Sequence, residues 1–244
     1  MDNGASELID LVIRSVQRGG WRPGNTVTQY KEYERSCQAD GRETLAWNDS
    51  KAALTCVVNP TNPTGDYMDV EEMKQYIATN CPDNHTIIID ESMQPWVGPK
   101  WREDSKPVIL IVVAPTSEHA AEIKRKQVPW SVNSMALAFV SAVVKDDAYL
   151  QKTWDVTPKW RLHAIEQLTK RFPNWEFFGK PFLSWIWLNT KSADISEKAC
   201  KLAKEHGVPV RSGKPGYNLP TFVRIAVRSP DQTAVLLKAW KQLE

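Results

Sequence analysis

Several features that would place this chain in a familiar class are missing from its sequence. No apolar run is long enough to cross a bilayer, and the first ten residues, MDNGASELID, have neither the basic start nor the apolar core of a signal peptide. The cysteines are far apart and form no Cys-x-x-Cys pair, which argues against a disulfide framework and a zinc site; they are Cys37, Cys56, Cys81 and Cys200. We therefore expect a cytoplasmic protein with reduced thiols, no metal and no membrane partner.

The charge balance also lacks an excess of one sign. The 31 basic and 29 acidic residues give a net charge of +2, and no basic tract with interleaved aromatic residues stands out. Nothing in this balance indicates a nucleic acid partner. The 244 residues are 42% hydrophobic, which suits one globular domain or a large domain with a small partner.

The first 150 residues have the pattern of a parallel α/β sheet. Apolar residues at helical spacing predict a helix over residues 5–18. Asp69 and Glu72 form a capping-box signature at the start of another helix. Continuous apolar runs are typical of buried parallel strands. Three such runs follow the chain: ALTCVV (53–58), TIIID (86–90) and PVILIVV (107–113).

After residue 150 the pattern changes to that of a small α+β domain, linked by a segment at about 151–171. Strand-like runs are FLSWIWL (182–188), VPVR (208–211) and TFVRIAV (221–227). A helix is predicted over 192–207, with Gly207 as its stop. The stretch Ser229-Pro230-Asp231-Gln232 has the N-cap chemistry that opens a final helix. We therefore predict two domains, 1–150 and 151–244.

Polar residues stand where ligands collect in a parallel α/β sheet, beyond the carboxyl ends of the strands. Gly4-Ala5-Ser6 lies at a helix N-terminus, where unpaired amides and the helix dipole favour a phosphate. Asn62 follows the strand that ends at Val58, and Asp90 ends the strand TIIID. Each feature has an ordinary structural reading, because Asn-Pro-Thr-Gly is typical of turns and a strand-ending acid often caps a helix.

Taken together, these motifs resemble a known family. NPTNPTG (59–65) and IIIDES (87–92), in that order after GASE, resemble the fold-type I pyridoxal 5'-phosphate (PLP) enzymes. The pattern is most similar to the histidinol-phosphate aminotransferase-like branch of the class I/II aminotransferases. The resemblance implies a three-layer α/β/α domain with a mostly parallel sheet, incomplete here, and a small α+β C-terminal domain. The large domain, 1–150, would be the partial PLP-binding domain.

The same resemblance implies a cofactor site. Ala5 and Ser6 would bind the phosphate of PLP, and Tyr30 would stack on its pyridine ring. Asn62 would donate to the phenolic oxygen of the ring. Asp90 would pair with the pyridinium nitrogen and keep it protonated, which makes the cofactor an electron sink.

The substrate site is implied in the same way. Arg224, in FVRIAV, matches the arginine that holds the substrate α-carboxylate, and its planar fork suits that task. Arg211, in VPVR, would face a substrate phosphate. The implied reaction is biosynthetic transfer of an amino group between an amino acid, or an amino-alcohol phosphate, and a 2-oxo acid. The family's sites form between subunits, so a homodimer is implied as well.

One part of the family pattern is missing. The family's Schiff-base lysine follows a strand in a Ser-x-x-Lys turn, but no lysine lies between Lys106 and Lys124 of this shortened chain. Met93 stands where the family has a tyrosine. The sequence therefore identifies no catalytic residue. Three alternatives stay open: a catalytically inactive PLP-fold scaffold or partner subunit, a PLP-dependent decarboxylase of amino acids or their phosphates, and a ligand-binding module without PLP.

Overall fold

The structure is a computed structural model that describes residues 4–24, 26–81, 85–100, 117–129, 131–143 and 145–243. The predicted strand at 107–113 lies outside these ranges. The chain divides into two compact units. The first comprises residues 1–61, 68–94 and 100–149, and the second comprises residues 62–67, 95–99 and 150–244.

The sheet of the first unit is parallel, as predicted. Its strands are β1 (Trp21–Pro23), β2 (Leu54–Val58) and β3 (Thr86–Asp90), in the order β1-β2-β3. Val58 pairs with Asp90, so β2 and β3 end side by side. Every residue of β2 is buried, but only Asp90 of β3 is. The prediction that β3 is a buried strand is therefore only partly right, because β3 lies at the edge of the three described strands.

Five helices belong wholly to the described part of the first unit: α1 (Ala5–Ile13), α2 (Glu32–Ala39), α3 (Val70–Asn80), α4 (Ser117–Lys126) and α5 (Ser134–Val143). The apolar stripe of α1 packs with α2 and β2 in one cluster. The end of α1 was predicted five residues too late. The hydroxyl of Ser15 donates to the Leu11 carbonyl at 2.7 Å, and the amide of Ser15 donates to the Val12 carbonyl at 2.9 Å. These bonds satisfy the last carbonyls and close the helix.

The predicted capping box of α3 is confirmed. The amide of Glu72 donates to the Asp69 carboxylate, and the amide of Asp69 donates to the Glu72 carboxylate, each at 2.9 Å. Two amides that have no partner within the helix are thereby satisfied, which fixes where α3 begins after the NPTNPTG loop.

The second unit is α+β, as predicted. Its antiparallel sheet contains β4 (Glu176–Phe178), β5 (Trp185–Asn189), β6 (Arg211–Ser212) and β7 (Phe222–Ala226), in the order β4-β5-β7-β6. The longer helices are α6 (Asp147–Arg171), which begins in the first unit, α7 (Ala193–Glu205) and α8 (Pro230–Ala239). The predicted link at about 151–171 is thus part of one continuous helix. Ser229 caps α8, as predicted.

The predicted strand VPVR is mostly wrong, because only Arg211 pairs with the sheet. The amide of Val208 donates to the Ala203 carbonyl at 2.9 Å, and that of Gly207 to Lys204. Gly207 has a φ of 74°, so these bonds form the left-handed stop that was expected for α7. Val208 is therefore committed to the helix end and is not available to a strand. Within the described ranges, no helix combines the length and apolar composition that crossing a bilayer needs.

Candidate functional site

The NPTNPTG loop begins by tying the ends of β2 and β3 together. The Asn59 amide donates to the Asp90 carbonyl at 2.9 Å. The Asn59 side chain donates to the Met68 carbonyl at 2.8 Å and accepts from the Met68 amide at 2.9 Å. Asn59 is therefore the residue that closes this loop in the first unit. Sequence reasoning missed it, although the repeated Asn-Pro steps were the available signal.

Asp90 lies at the carboxyl end of β3, and its side chain is held on both oxygens. The Tyr33 hydroxyl donates to Oδ2 at 3.0 Å, and the Ser92 amide donates to Oδ1 at 2.9 Å. Asp90 is only 9% exposed. No ion pair among the described residues includes it. A buried carboxylate without a cationic partner is costly, so Asp90 is suited to a cationic ligand.

Tyr33 was also missed by sequence reasoning. It lies in α2, is 4% exposed and packs in the apolar cluster formed by α1, α2 and β2. Burial and the adjacent Asp90 carboxylate raise the pKa of the Tyr33 phenol well above its ordinary value. Tyr30, the predicted stacking residue, is half-buried and packs against the same cluster. Tyr30 lies two residues before α2, which begins at Glu32, so only Tyr33 is part of the helix.

Ala5 and Ser6, the predicted phosphate-binding residues, lie at the start of α1. Gly4 precedes the helix with a φ of 97°, and among the described residues no side chain caps the helix. Ser6 is exposed and Ala5 is half-buried. Uncapped amides at a helix N-terminus, together with the helix dipole, attract an anion.

In the second unit, the predicted residues Asn62 and Arg224 are in contact. The Arg224 guanidinium donates to the Asn62 side-chain oxygen in a short hydrogen bond, and both residues are half-buried. Because the oxygen of the amide is used as an acceptor, the orientation of Asn62 is fixed with its NH₂ group directed elsewhere. That group can donate to an oxygen such as a phenolate.

Arg211 and Arg224 stand directly opposite each other on β6 and β7. Trp187 stands opposite Arg224 on the other side, so the three residues form a row on one face of the sheet. Two like charges at directly opposite positions are destabilising unless an anion lies near them. Trp187 stacks on Phe222 with ring centroids 5.1 Å apart. The row therefore combines two cations with an aromatic wall.

The second half of the loop belongs to the second unit and is packed tightly within it. The Trp185 indole donates to the Pro63 carbonyl at 2.8 Å. Gly65 has a φ of 80°, and a β-carbon at this position would lie 2.5 Å from the Cα of Gly179. The loop needs glycine at position 65 for both its backbone conformation and this close approach.

Comparison with solved structures shows the fold. The histidinol-phosphate aminotransferase of Clostridium acetobutylicum aligns with 99% of this chain and 82% of its own, with a TM-score of 0.78 and 23% identity. The L-threonine-O-3-phosphate decarboxylase of Porphyromonas gingivalis has a TM-score of 0.75 at 16% identity, with the same coverage. The histidinol-phosphate aminotransferase of Sinorhizobium meliloti, solved with PLP, has a TM-score of 0.75 at 14% identity and covers 100% and 76%. The predicted PLP-transferase fold is confirmed.

The amino-acid sequence is similar to those of curated histidinol-phosphate aminotransferases. Histidinol-phosphate aminotransferase 1 of Idiomarina loihiensis is 26% identical over 220 residues, which covers 79% of this chain. The sequence is therefore similar to those of histidinol-phosphate aminotransferases, as its motifs predict. The chain spans 57% of the length of that relative. No protein-family model matches the chain.

The close approach at Gly65 yields a direct test. We expect Gly65→Ala to lower the free energy of unfolding by about 3 kcal/mol, because backbone strain adds to overpacking against Gly179. Gly41→Ala is the matched control, because Gly41 has a similar φ of 74° but no neighbouring atom within 4 Å. It should cost only about 1 kcal/mol. Urea titrations followed by tryptophan fluorescence measure both values, and equal losses would contradict the proposed close packing.

Proposed function

We propose that this chain binds PLP and is a PLP-dependent aminotransferase by descent. The observation that carries the proposal is the buried Asp90 carboxylate, which has two neutral donors and no cation among its described partners. A carboxylate offers about four acceptor positions, so two remain for a ligand. A pyridinium N–H⁺ is a planar cation of the right kind. When bound, PLP supplies the electron sink for chemistry at the substrate α-carbon.

The remaining cofactor contacts are assigned by resemblance and supported by local structure. Ala5 and Ser6 bind the phosphate at the uncapped start of α1. Tyr30 stacks on the ring. Asn62 donates to the phenolic oxygen with the NH₂ group that its bond to Arg224 leaves available. Asp90 holds the ring nitrogen protonated.

The substrate proposal rests on the two arginines. Arg224 binds the α-carboxylate of an amino acid or of a 2-oxo acid, and Arg211 binds a second anionic group, such as a substrate phosphate. Their positions directly opposite each other on β6 and β7 support a dianionic or carboxylate-and-phosphate substrate. The proposed reaction moves an amino group between an amino acid or amino-alcohol phosphate and a 2-oxo acid.

Catalysis needs a lysine, and the family's position for it has no counterpart in this sequence. The cofactor contacts proposed above can hold PLP without a covalent bond, whereas amino transfer requires that another lysine reach the cofactor aldehyde. A chain without such a lysine would be an inactive PLP-fold scaffold or partner subunit. Decarboxylation is a second candidate reaction, favoured by the fold shared with the P. gingivalis decarboxylase.

We also propose a cytoplasmic homodimer, with residues 1–150 as the PLP-binding domain and 151–244 as the small domain. Helix α5 supports the dimer, because it is apolar and has no buried residue. Met135 and Phe139 on this helix are 80% and 70% exposed. Exposed apolar surface of this kind is typical of a subunit contact.

A PLP titration tests the cofactor proposal. We expect a pH-dependent visible absorbance change on the wild-type chain, and Asp90→Ala should weaken the affinity about tenfold or more because it removes a charge-assisted hydrogen bond. Asp194→Asn, an exposed acid at the start of α7, is the control and should bind PLP as the wild type does. A folded wild-type chain that gives no absorbance change would contradict PLP binding.

Borohydride reduction of the same samples, followed by peptide mass mapping, separates the enzyme from the scaffold. One reduced lysine adduct would name the lysine that serves the aminotransferase. Binding without any adduct would support the scaffold alternative.

The paired arginines can be tested without the cofactor. Inorganic phosphate at 10 mM should raise the Tm of the wild type, because ligand binding to the folded state stabilises it. Arg211→Gln should reduce this rise without abolishing it, because phosphate can still bind at the start of α1. By removing a like-charge repulsion, the substitution should change stability in low salt by less than about 1 kcal/mol. Lys198→Gln, an exposed cation on α7, should keep the phosphate effect. A rise of unchanged size in Arg211→Gln would remove Arg211 from the anion site.

A further inference from the structure

Tyr33 is the one buried hydroxyl donor that the described structure places on the Asp90 side chain. Its ring packs in the apolar cluster with residues of α1 and β2, including Ile9 and Cys56. The tyrosine thus has two parts, a ring fixed by packing and a hydroxyl directed at one carboxylate oxygen.

We infer that Tyr33 is a positioning residue for the cofactor nitrogen: it sets the orientation of the Asp90 carboxylate against which the pyridinium of PLP binds. This inference rests on the proposed function. The Ser92 amide holds Oδ1 and Tyr33 holds Oδ2, so a donor on each oxygen fixes the rotation of the carboxylate plane. Without Tyr33, the donor on Oδ1 would be the one that remains among the described residues.

The chemistry of the donors matters as much as their geometry. A lysine or arginine at this position would pair with Asp90 and compete with the pyridinium for its charge. A neutral hydroxyl orients the carboxylate and leaves its charge for the ligand. Because burial and the charge of Asp90 raise the pKa of Tyr33, its hydroxyl keeps its proton at neutral pH.

The other titratable groups near this pair do not replace Tyr33. Cys56 and Tyr30 also face Tyr33, and burial raises the pKa of the Cys56 thiol, which therefore stays neutral. Glu91 faces Asp90. The pKa of Glu91 is raised mainly by burial and to a smaller extent by the charge of Asp90. Among the described residues, the hydrogen bonds to the Asp90 carboxylate come from Tyr33 and Ser92.

The test is the protonation of the bound cofactor ring. PLP labelled with ¹⁵N in the ring is bound to the wild-type chain and to Tyr33→Phe, and the ring-nitrogen pKa is measured by NMR between pH 5 and 9. Tyr33→Phe keeps the packed ring and removes only the hydroxyl. We expect its PLP affinity to fall about tenfold and its ring-nitrogen pKa to fall as well, because a carboxylate held on one oxygen aligns less well.

The control is Tyr76→Phe, a half-buried tyrosine of α3 to which the same chemical change is made. It should leave both values unchanged. A ring-nitrogen pKa that stays the same in Tyr33→Phe would overturn the inference, because it would mean that Tyr33 serves the fold alone. A pKa that rises would also overturn it, because it would mean that the Tyr33 hydroxyl only weakens the Asp90 carboxylate as an acceptor. Loss of folding in Tyr33→Phe, measured by circular dichroism, would also overturn it, because the hydroxyl would then serve the fold. A wild-type chain that binds no PLP would instead remove the proposed function beneath it.

Discussion

The hydrogen bond from the Asn59 amide to the Asp90 carbonyl fixes the edge of the sheet on which the rest of the site depends. It joins the ends of two parallel strands at the place where ligands of α/β proteins bind. Once that edge is fixed, the Asp90 side chain is buried between Tyr33 and Ser92. A carboxylate in this position is costly by itself, and a bound cation would relieve the cost.

In the second unit, a comparable hydrogen bond joins the Asn62 side-chain amide to the Arg224 guanidinium. Arg224 holds the Asn62 oxygen and thereby fixes which atoms of Asn62 can donate. Arg224 also shares a row with Arg211 and Trp187 across β6, β7 and β5. One arginine therefore serves both the orientation of a proposed cofactor ligand and the proposed binding of a substrate carboxylate. Each unit thus contains charged groups that a ligand of opposite charge would stabilise: Asp90 in the first unit and the two arginines in the second.

Local signals allowed much of the fold to be predicted from the sequence. The capping box of α3, the Ser229 cap of α8 and the stop at Gly207 depend on neighbours within a few residues. What could not be predicted depends on contacts far apart in the chain. Asn59 in the loop and Tyr33 in α2 both form hydrogen bonds with Asp90, which is distant from them in the sequence. Neither role is therefore visible in a local pattern. The predicted strand VPVR was wrong because the amide of Val208 bonds to α7.

A crystal structure of the chain grown with PLP would show whether Asp90 binds the cofactor ring. The quantity to measure is the distance from the cofactor ring nitrogen to the nearer Asp90 carboxylate oxygen. We expect a hydrogen bond of about 2.8 Å, with the cofactor phosphate at the start of α1. A cofactor bound elsewhere, or one with its ring nitrogen turned away from Asp90, would contradict it.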